Sequence, residues 1–135
     1  MAKLWRVLPS GIPRTPRKIK GGPLIDLAAL QQAIRHGVIG AEHVLVVNQS
    51  CDNKLEELEW GTGDVLDCLS CATSADFKGA EWCETNLVGL IPCDAYVIPY
   101  DETIKQRSRA GLAFYVKFSL DDADTLKLQL VRVHL

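Results

Sequence analysis

The alternating segment Leu112–Leu120 constrains the fold more than any other part of this sequence. Large apolar side chains occupy every second position, and the residues between them are small or polar. Because successive side chains of a strand point to opposite faces, this pattern predicts a strand with one buried face. Such a strand needs other strands beside it and a second layer over its apolar side. The buried face would carry Leu112, Phe114, Val116, Phe118 and Leu120, and the other face Ala113, Tyr115, Lys117 and Ser119.

Helical patterns fill the first half of the chain. Asp26 is suited to cap a first helix that Gly37 would stop, and the segment 50–58 favours a second helix. Residues 43–47 fit either a short strand or the start of a helix, because an apolar run alone does not distinguish the two. Further starts are expected at Thr62 or Asp64 for a third helix, and at Ser74 or Asp76 for a short helical turn carrying Phe77 and Lys78.

Strand patterns dominate the second half. The segment 94–100 reads as a strand that Pro99 ends or places at an edge of the sheet. The acidic turn 121–124 would lead into a last strand at about 126–135. Helices first and strands afterwards predict an α+β fold, in which N-terminal helices pack on one face of a small C-terminal antiparallel sheet.

The pairing of the last strand with its neighbour stays open at this point. One register turns His134 away from Tyr115, whereas another, with Val116 opposite Val133, places the two rings side by side. The apolar residues of the last strand lie on one face early and on the other face late. A bulge or change of face near Leu130 is therefore expected, because it would bring His134 round to Tyr115.

Charged residues are unevenly distributed along the chain. The 135 residues include 15 Lys or Arg and 17 Asp or Glu, a balance that argues against a protein whose main task is holding nucleic acid. Residues 1–20 nevertheless contain six basic residues and no acidic one. Any site for a polyanion must therefore be local. We expect a basic extended arm at 1–23 and a single α+β domain at 24–135.

The expected compartment is the cytoplasm. The chain has no apolar run long enough to span a membrane, and prolines interrupt its N-terminal region where a signal peptide would be apolar. Five cysteines, an odd number, suit a reducing compartment. Cys68 and Cys71 form one isolated pair without the second pair that a structural zinc site needs. We therefore expect buried free thiols, no metal and no cofactor.

A set of polar residues in the second half suits the cleavage of a phosphodiester. Tyr115 and Lys117 share the polar face of the best strand, and Arg132 and His134 are similarly spaced on its neighbour. Arginine and lysine can hold a phosphate, while histidine and tyrosine move protons. Three cations join them as candidates: Lys78, Arg107 and Arg109. The competing interpretation is that these residues form the ordinary solvent-exposed face of an antiparallel sheet.

Six short motifs over residues 24–135 resemble the motility quorum-sensing regulator (MqsR) toxins, which are similar to RelE-like ribonucleases. The motifs are Leu58-Glu-Trp60, Val65-Leu66 with Leu69, Ser74-Ala-Asp76-Phe77, Cys93-Asp94-Ala-Tyr96, Phe114-Tyr115-Val-Lys117-Phe118 and Val131-Arg-Val133-His134.

The resemblance implies a RelE-like fold and an activity. It implies a metal-independent RNA endonuclease, an mRNA interferase of a type II toxin–antitoxin system, in which the ribose 2′-OH attacks the adjacent phosphodiester. Tyr115, His134 and Lys78 would be catalytic, and Lys117, Arg132, Arg109 and Arg107 would bind RNA. Its partners would be RNA and a cognate antitoxin protein, and a homo-oligomer is left open. The alternative function is a non-catalytic protein-interaction module on the same fold.

Overall fold

The computed structural model describes residues 4–9, 17–121 and 127–135. It contains three α-helices, and within these ranges every helix is too short or too polar to cross a bilayer. Two single turns of 3-10 helix accompany them, at Ala41–His43 and Ser74–Asp76. The helices are α1 at Leu27–Arg35, α2 at Gln49–Leu58 and α3 at Thr62–Leu69.

Seven strands in the described residues form one mixed sheet. Its order is β1-β3-β4-β6-β7-β2, with β5 attached to the end of β4. Every neighbouring pair is antiparallel except β2 and β7, which run parallel. The strands are β1 at Lys18–Ile19, β2 at Val44–Val46, β3 at Phe77–Thr85, β4 at Gly89–Asp101, β5 at Gln106–Arg107, β6 at Leu112–Leu120 and β7 at Leu128–His134.

The expected α+β arrangement, with N-terminal helices on a small C-terminal sheet, is wrong. The helices are interleaved with strands β1 and β2, and the sheet is larger than the C-terminal segment could supply. The segment 43–47, which fitted either a strand or the start of a helix, supplies β2. The segment Phe77–Thr85, which was expected to begin as a helical turn, forms the nine-residue strand β3. Only Ala80 and Thr85 are buried in β3, so the segment lacks the alternation that marks a half-buried strand.

Local signals explain where the helices begin and end. The Asp26 carboxylate accepts a hydrogen bond from the Ala29 N–H at 3.0 Å, which caps α1 as expected. Gly37 adopts a φ of 76°, just beyond the last turn of that helix. Helix α3 begins at Thr62, and Asp64 accepts from the Gly61 N–H at 2.8 Å.

The helices cover one face of the sheet and form the main core with it. Four apolar side chains of β6 point into this core, as the alternation of 112–120 predicts: Phe114, Val116, Phe118 and Leu120. Leu112, which was expected on the same buried face, is exposed at the start of the strand. Trp60, just beyond α2, stacks on Phe114 with the ring centres 4.7 Å apart. The opposite face, called the second face below, carries a smaller apolar cluster made of Val47, Cys93 and Val131 with Leu45, Cys83 and Ile91.

A bulge in β7 divides its apolar residues between the two faces. Phe118 of β6 pairs with Leu130, but the next residue, Lys117, pairs with Arg132, so Val131 is the additional residue. Leu130 belongs to the main core and Val131 to the cluster on the second face. The expected bulge near Leu130 is confirmed, and it places His134 opposite Tyr115.

The sheet curls across its second face. Strands β3 and β2 lie toward opposite edges, yet the hairpin between β3 and β4 reaches the residues that follow β2. The Asn86 N–H donates to the Asn48 side-chain oxygen at 2.9 Å, and the Gln49 N–H donates to the Asn86 side-chain oxygen at 3.1 Å. The Leu87 N–H adds a bond of 3.2 Å to the Val47 carbonyl. These bonds enclose the smaller cluster.

Asp94 on β4 fixes the N-terminal segment to the sheet. Its carboxylate is fully buried and accepts hydrogen bonds from the N–H groups of Leu24 and Ile25 at 2.9 to 3.0 Å. Burial raises the pKa of Asp94, while these two N–H groups and Arg6 act against the rise. Leu4 packs into the main core beside this anchor, so part of the expected arm contacts the domain.

Replacing Asp94 by alanine should lower the free energy of unfolding by about 1–3 kcal/mol, because two buried N–H groups lose their acceptor. Urea denaturation followed by tryptophan fluorescence measures the change. Glu56→Ala, which removes an exposed carboxylate from α2, is the control and should shift stability by less than about 0.5 kcal/mol. Equal stability of the two variants would contradict the anchoring role.

Candidate functional site

Two stacked rings form the centre of the candidate site. Tyr115 of β6 and His134 of β7 are directly paired across the strands, with ring centres 4.7 Å apart and planes inclined by 8°. Both side chains are partly exposed on the second face. The stack brings together a phenol and an imidazole, two groups able to exchange protons with a bound molecule.

A contact with the neighbouring backbone indicates which ring nitrogen of His134 carries the proton. Its Nδ1 lies 2.9 Å from the oxygen of Leu135. Because a carbonyl or carboxylate oxygen can only accept, this contact places a proton on Nδ1. The Nε2 atom of the neutral ring is then an acceptor, so it can serve as a base.

An open cavity of about 430 Å³ adjoins the stack. Strand β2 pairs with β7 only as far as Leu130, and the cavity lies beyond that point, between α2 and the end of β7. Arg132 is exposed there and lies on the same face as Lys117, its partner across the strands. Lys54 of α2 adds a second cation, which is paired with Glu57 at 2.8 Å. The cavity is lined by Ser50, Cys51, Lys54, Arg132, Val133, His134 and Leu135.

Lys117 is buried beneath the stack and does not face solvent. Its ammonium forms an ion pair with Glu81 of β3, and its side chain is 6% exposed. Burial alone would lower the pKa of Lys117, but the hydrogen bond to Glu81 and the proximity of Cys83 and Tyr115 raise it to about 12. The ammonium therefore stays charged, and it lies 5.8 Å from the centre of the Tyr115 ring.

The other predicted cations lie apart from the stack. Arg107 forms a two-pronged ion pair with Asp76, with N–O distances of 2.5 and 3.0 Å. Burial would raise the pKa of Asp76, but the hydrogen bonds from Arg107 and Thr73 hold it below its usual value. Arg109 is exposed in the segment between β5 and β6. Lys78 is exposed on β3, not on a helical turn as expected.

Three residues of this surface were not among the candidates: Lys54, Glu81 and Cys83. The acidic pattern of 50–58 predicted the helix that carries Lys54 but not its approach to β7. Glu81 and Cys83 were missed together with strand β3, which brings them under Lys117. Glu81 and Cys83 are two positions apart, so recognising β3 as a strand would have placed both side chains on one face.

No group of three or more His, Cys, Asp or Glu side chains is arranged as a metal site in the parts of the chain that the structure describes. The second face presents an imidazole, a phenol, a guanidinium and a thiol.

The stack predicts a specific NMR signature. The ring current of Tyr115 should move the ring protons of His134 upfield of those of the exposed His36. Tyr115→Leu should remove that displacement and leave His36 unchanged. Carbon–proton correlation spectra of the three histidines measure it. The stacked geometry is refuted if the His134 signals do not move in the variant.

The ion pair predicts an acid-dependent loss of stability. The hydrogen bond from Lys117 lowers the pKa of Glu81 from its ordinary 4.5. Because the folded value is the lower one, Glu81 stabilises the fold above about pH 4.5, and this contribution is lost as the pH falls through the folded value. Glu81→Gln should cost about 1–3 kcal/mol at pH 7 by leaving the buried ammonium poorly paired.

Urea denaturation of wild type and Glu81→Gln between pH 7 and pH 3 tests this dependence. The difference between them should shrink below pH 4.5. Glu84→Gln, an exposed carboxylate on the same strand, provides the matched control and should show little difference at any pH. A constant difference for Glu81→Gln across the range would speak against the ion pair.

Comparisons with protein-family models, with curated proteins and with solved structures found no match to this chain.

Proposed function

We propose that this protein is a metal-independent RNA endonuclease whose reaction takes place at the Tyr115–His134 stack. The supporting observation is the parallel contact of these two rings beside an open cavity with cationic side chains. Two proton-transferring groups and a phosphate-binding cation are suited to catalyse the transesterification of RNA.

The proposed reaction breaks the bond between phosphorus and the 5′-oxygen. Nε2 of His134 removes the proton of the ribose 2′-OH, and the 2′-oxygen attacks the adjacent phosphorus. The 5′-oxygen leaves and takes a proton from the Tyr115 hydroxyl. The products are a 2′,3′-cyclic phosphate and a new 5′-hydroxyl end, so the 2′-OH restricts the reaction to RNA.

Arg132 is the proposed phosphate-binding residue, and Lys54 assists from the opposite wall of the cavity. Arg132 is exposed and forms no ion pair with the described residues that would compete with a phosphate, whereas Arg107 is engaged by Asp76. Lys117 is proposed to position Tyr115, because its ammonium lies 5.8 Å from the centre of that ring. Lys78 and Arg109 lie on exposed segments where they contact more distant phosphates of a longer RNA.

The resemblance to the MqsR toxins adds a proposed partner. A protein antitoxin would inhibit the enzyme by covering the cavity beside His134. RNA remains the substrate in this proposal, and the antitoxin would compete with it for the same surface.

Cleavage of a long single-stranded RNA by the purified protein in excess EDTA tests the activity. His134→Ala should reduce the rate about 10²- to 10⁴-fold, the range that loss of a general acid or base produces. Tyr115→Phe should also reduce the rate, because it removes the hydroxyl that donates a proton to the leaving 5′-oxygen. Arg132→Ala should weaken RNA binding and lessen its dependence on salt.

Two matched controls separate the site from the rest of the surface. His36→Ala removes an exposed imidazole at the end of α1, and Lys105→Ala removes an exposed cation paired with Asp67. Both should cleave as the wild type does. Full activity of His134→Ala, or cleavage that EDTA abolishes, would overturn the proposal. Neither binding nor cleavage of RNA by the wild type would favour the alternative, a non-catalytic protein-interaction module.

A further inference from the structure

Two cysteine side chains meet on the second face, next to the buried Lys117. In the pairing of β3 with β4, Glu81 lies opposite Cys93 and Cys83 lies opposite Ile91. Cys83 and Cys93 are therefore diagonal neighbours on one face, and both belong to the smaller apolar cluster. They pack in that cluster, where the Cys83 thiol donates to a Glu81 carboxylate oxygen at 3.9 Å and the Cys93 thiol donates to the Ile91 carbonyl at 3.5 Å.

The surroundings shift the pKa values of these two thiols in opposite directions. The hydrogen bond from Cys93 and the charge of Lys117 outweigh burial and the carboxylate of Glu81, and they lower the pKa of Cys83 to about 7. The same hydrogen bond, together with burial, raises the pKa of Cys93. Cys83 is therefore the more readily ionised of the two thiols, and Cys93 holds its proton more firmly.

The thiol with the lower pKa is also the one that solvent reaches more easily. Cys83 is partly exposed to solvent, whereas Cys93 is fully buried behind it. The remaining cysteines lack this combination. Burial raises the pKa of Cys51 to about 11 and of Cys68 to about 12, and it also raises the pKa of the half-buried Cys71.

We propose that Cys83 is a peroxide-reactive thiol and that Cys93 resolves its oxidised form into an intramolecular disulfide. An accessible thiolate beside a cation, with a second thiol in contact, is the arrangement of a reversible redox site. The site depends on the pairing of β3 with β4 and on Lys117, and it stands independently of any activity toward RNA.

The reaction is balanced with hydrogen peroxide as the oxidant. The Cys83 thiolate attacks one peroxide oxygen, the O–O bond breaks, and the departing hydroxide takes a proton to become water. Cys83 is then a sulfenic acid. The Cys93 sulfur attacks the Cys83 sulfur, the S–O bond breaks, and the hydroxide leaves as water with the Cys93 proton. Two thiols and one peroxide thus give one disulfide and two waters.

Pulsed alkylation with iodoacetamide tests the reactive thiol without any variant. At pH 7 the folded protein should be labelled at Cys83 at least about tenfold faster than at Cys71, because more of the Cys83 sulfur is thiolate. Cys71 is the internal control, since it is similarly half-buried but its pKa is raised. Equal labelling rates at the two positions would overturn the proposal.

Peptide mass spectrometry after treatment with one equivalent of hydrogen peroxide tests the disulfide. Trypsin leaves both cysteines in the peptide 79–105, whose mass should fall by two hydrogens. Further cleavage after Glu84 should then leave the two halves joined until they are reduced. A different disulfide, or irreversible oxidation of Cys83 in the wild type, would contradict the resolving role.

Variants separate the two roles. Cys93→Ala should let the Cys83 sulfenic acid accumulate, where dimedone traps it, and Cys83→Ser should leave Cys93 unreactive. Cys71→Ser should form the disulfide as the wild type does. Circular dichroism of each variant confirms that it is folded before the comparison is made. Peroxide reactivity of Cys93 in folded Cys83→Ser would refute the assignment of the attacking thiol.

Discussion

The buried ammonium of Lys117 is the constraint around which the second face is organised. A charged group with almost no solvent contact needs partners for its three donors, because an unpaired charge in this setting would be costly. Glu81 forms the ion pair from β3, and Cys83 and Tyr115 provide the other neighbours. One lysine thereby links strand β3 to β6, across β4. It also connects the ring stack with the thiol pair, because both candidate reactive groups lie beside the same ammonium.

Much of what the sequence predicted correctly rests on local patterns. The alternation of 112–120 indicated a strand and the face that each side chain takes, and Asp26 with Gly37 indicated the bounds of α1. The change of apolar face within the last strand indicated a bulge near Leu130, and that bulge pairs Tyr115 with His134. These features depend on residues only a few positions apart, so their physical cause is visible in the sequence.

The rest depends on contacts between distant segments. Strand β3 carries few buried residues, and its place in the sheet comes from pairing with β4 and β1 rather than from its own pattern. Without β3, neither the Lys117–Glu81 ion pair nor the contact of Cys83 with Cys93 could be foreseen. Arg107 likewise looked like a free cation because Asp76 lies 31 residues away. The fold class was wrong for the same reason: sheet membership is a long-range property.

The reciprocal bonds between Asn48 and Asn86 also bear on how the chain folds. They join segments that lie toward opposite edges of the sheet, so they cannot form until β4, β6 and β7 have paired between them. Long loops must close before such bonds contribute any stability. We therefore expect the curling of the sheet across its second face to be a late step on the folding pathway. The cluster that holds the two thiols would stay open to water until that step, so the reactivity that the finished fold gives Cys83 would be complete only at the end of folding.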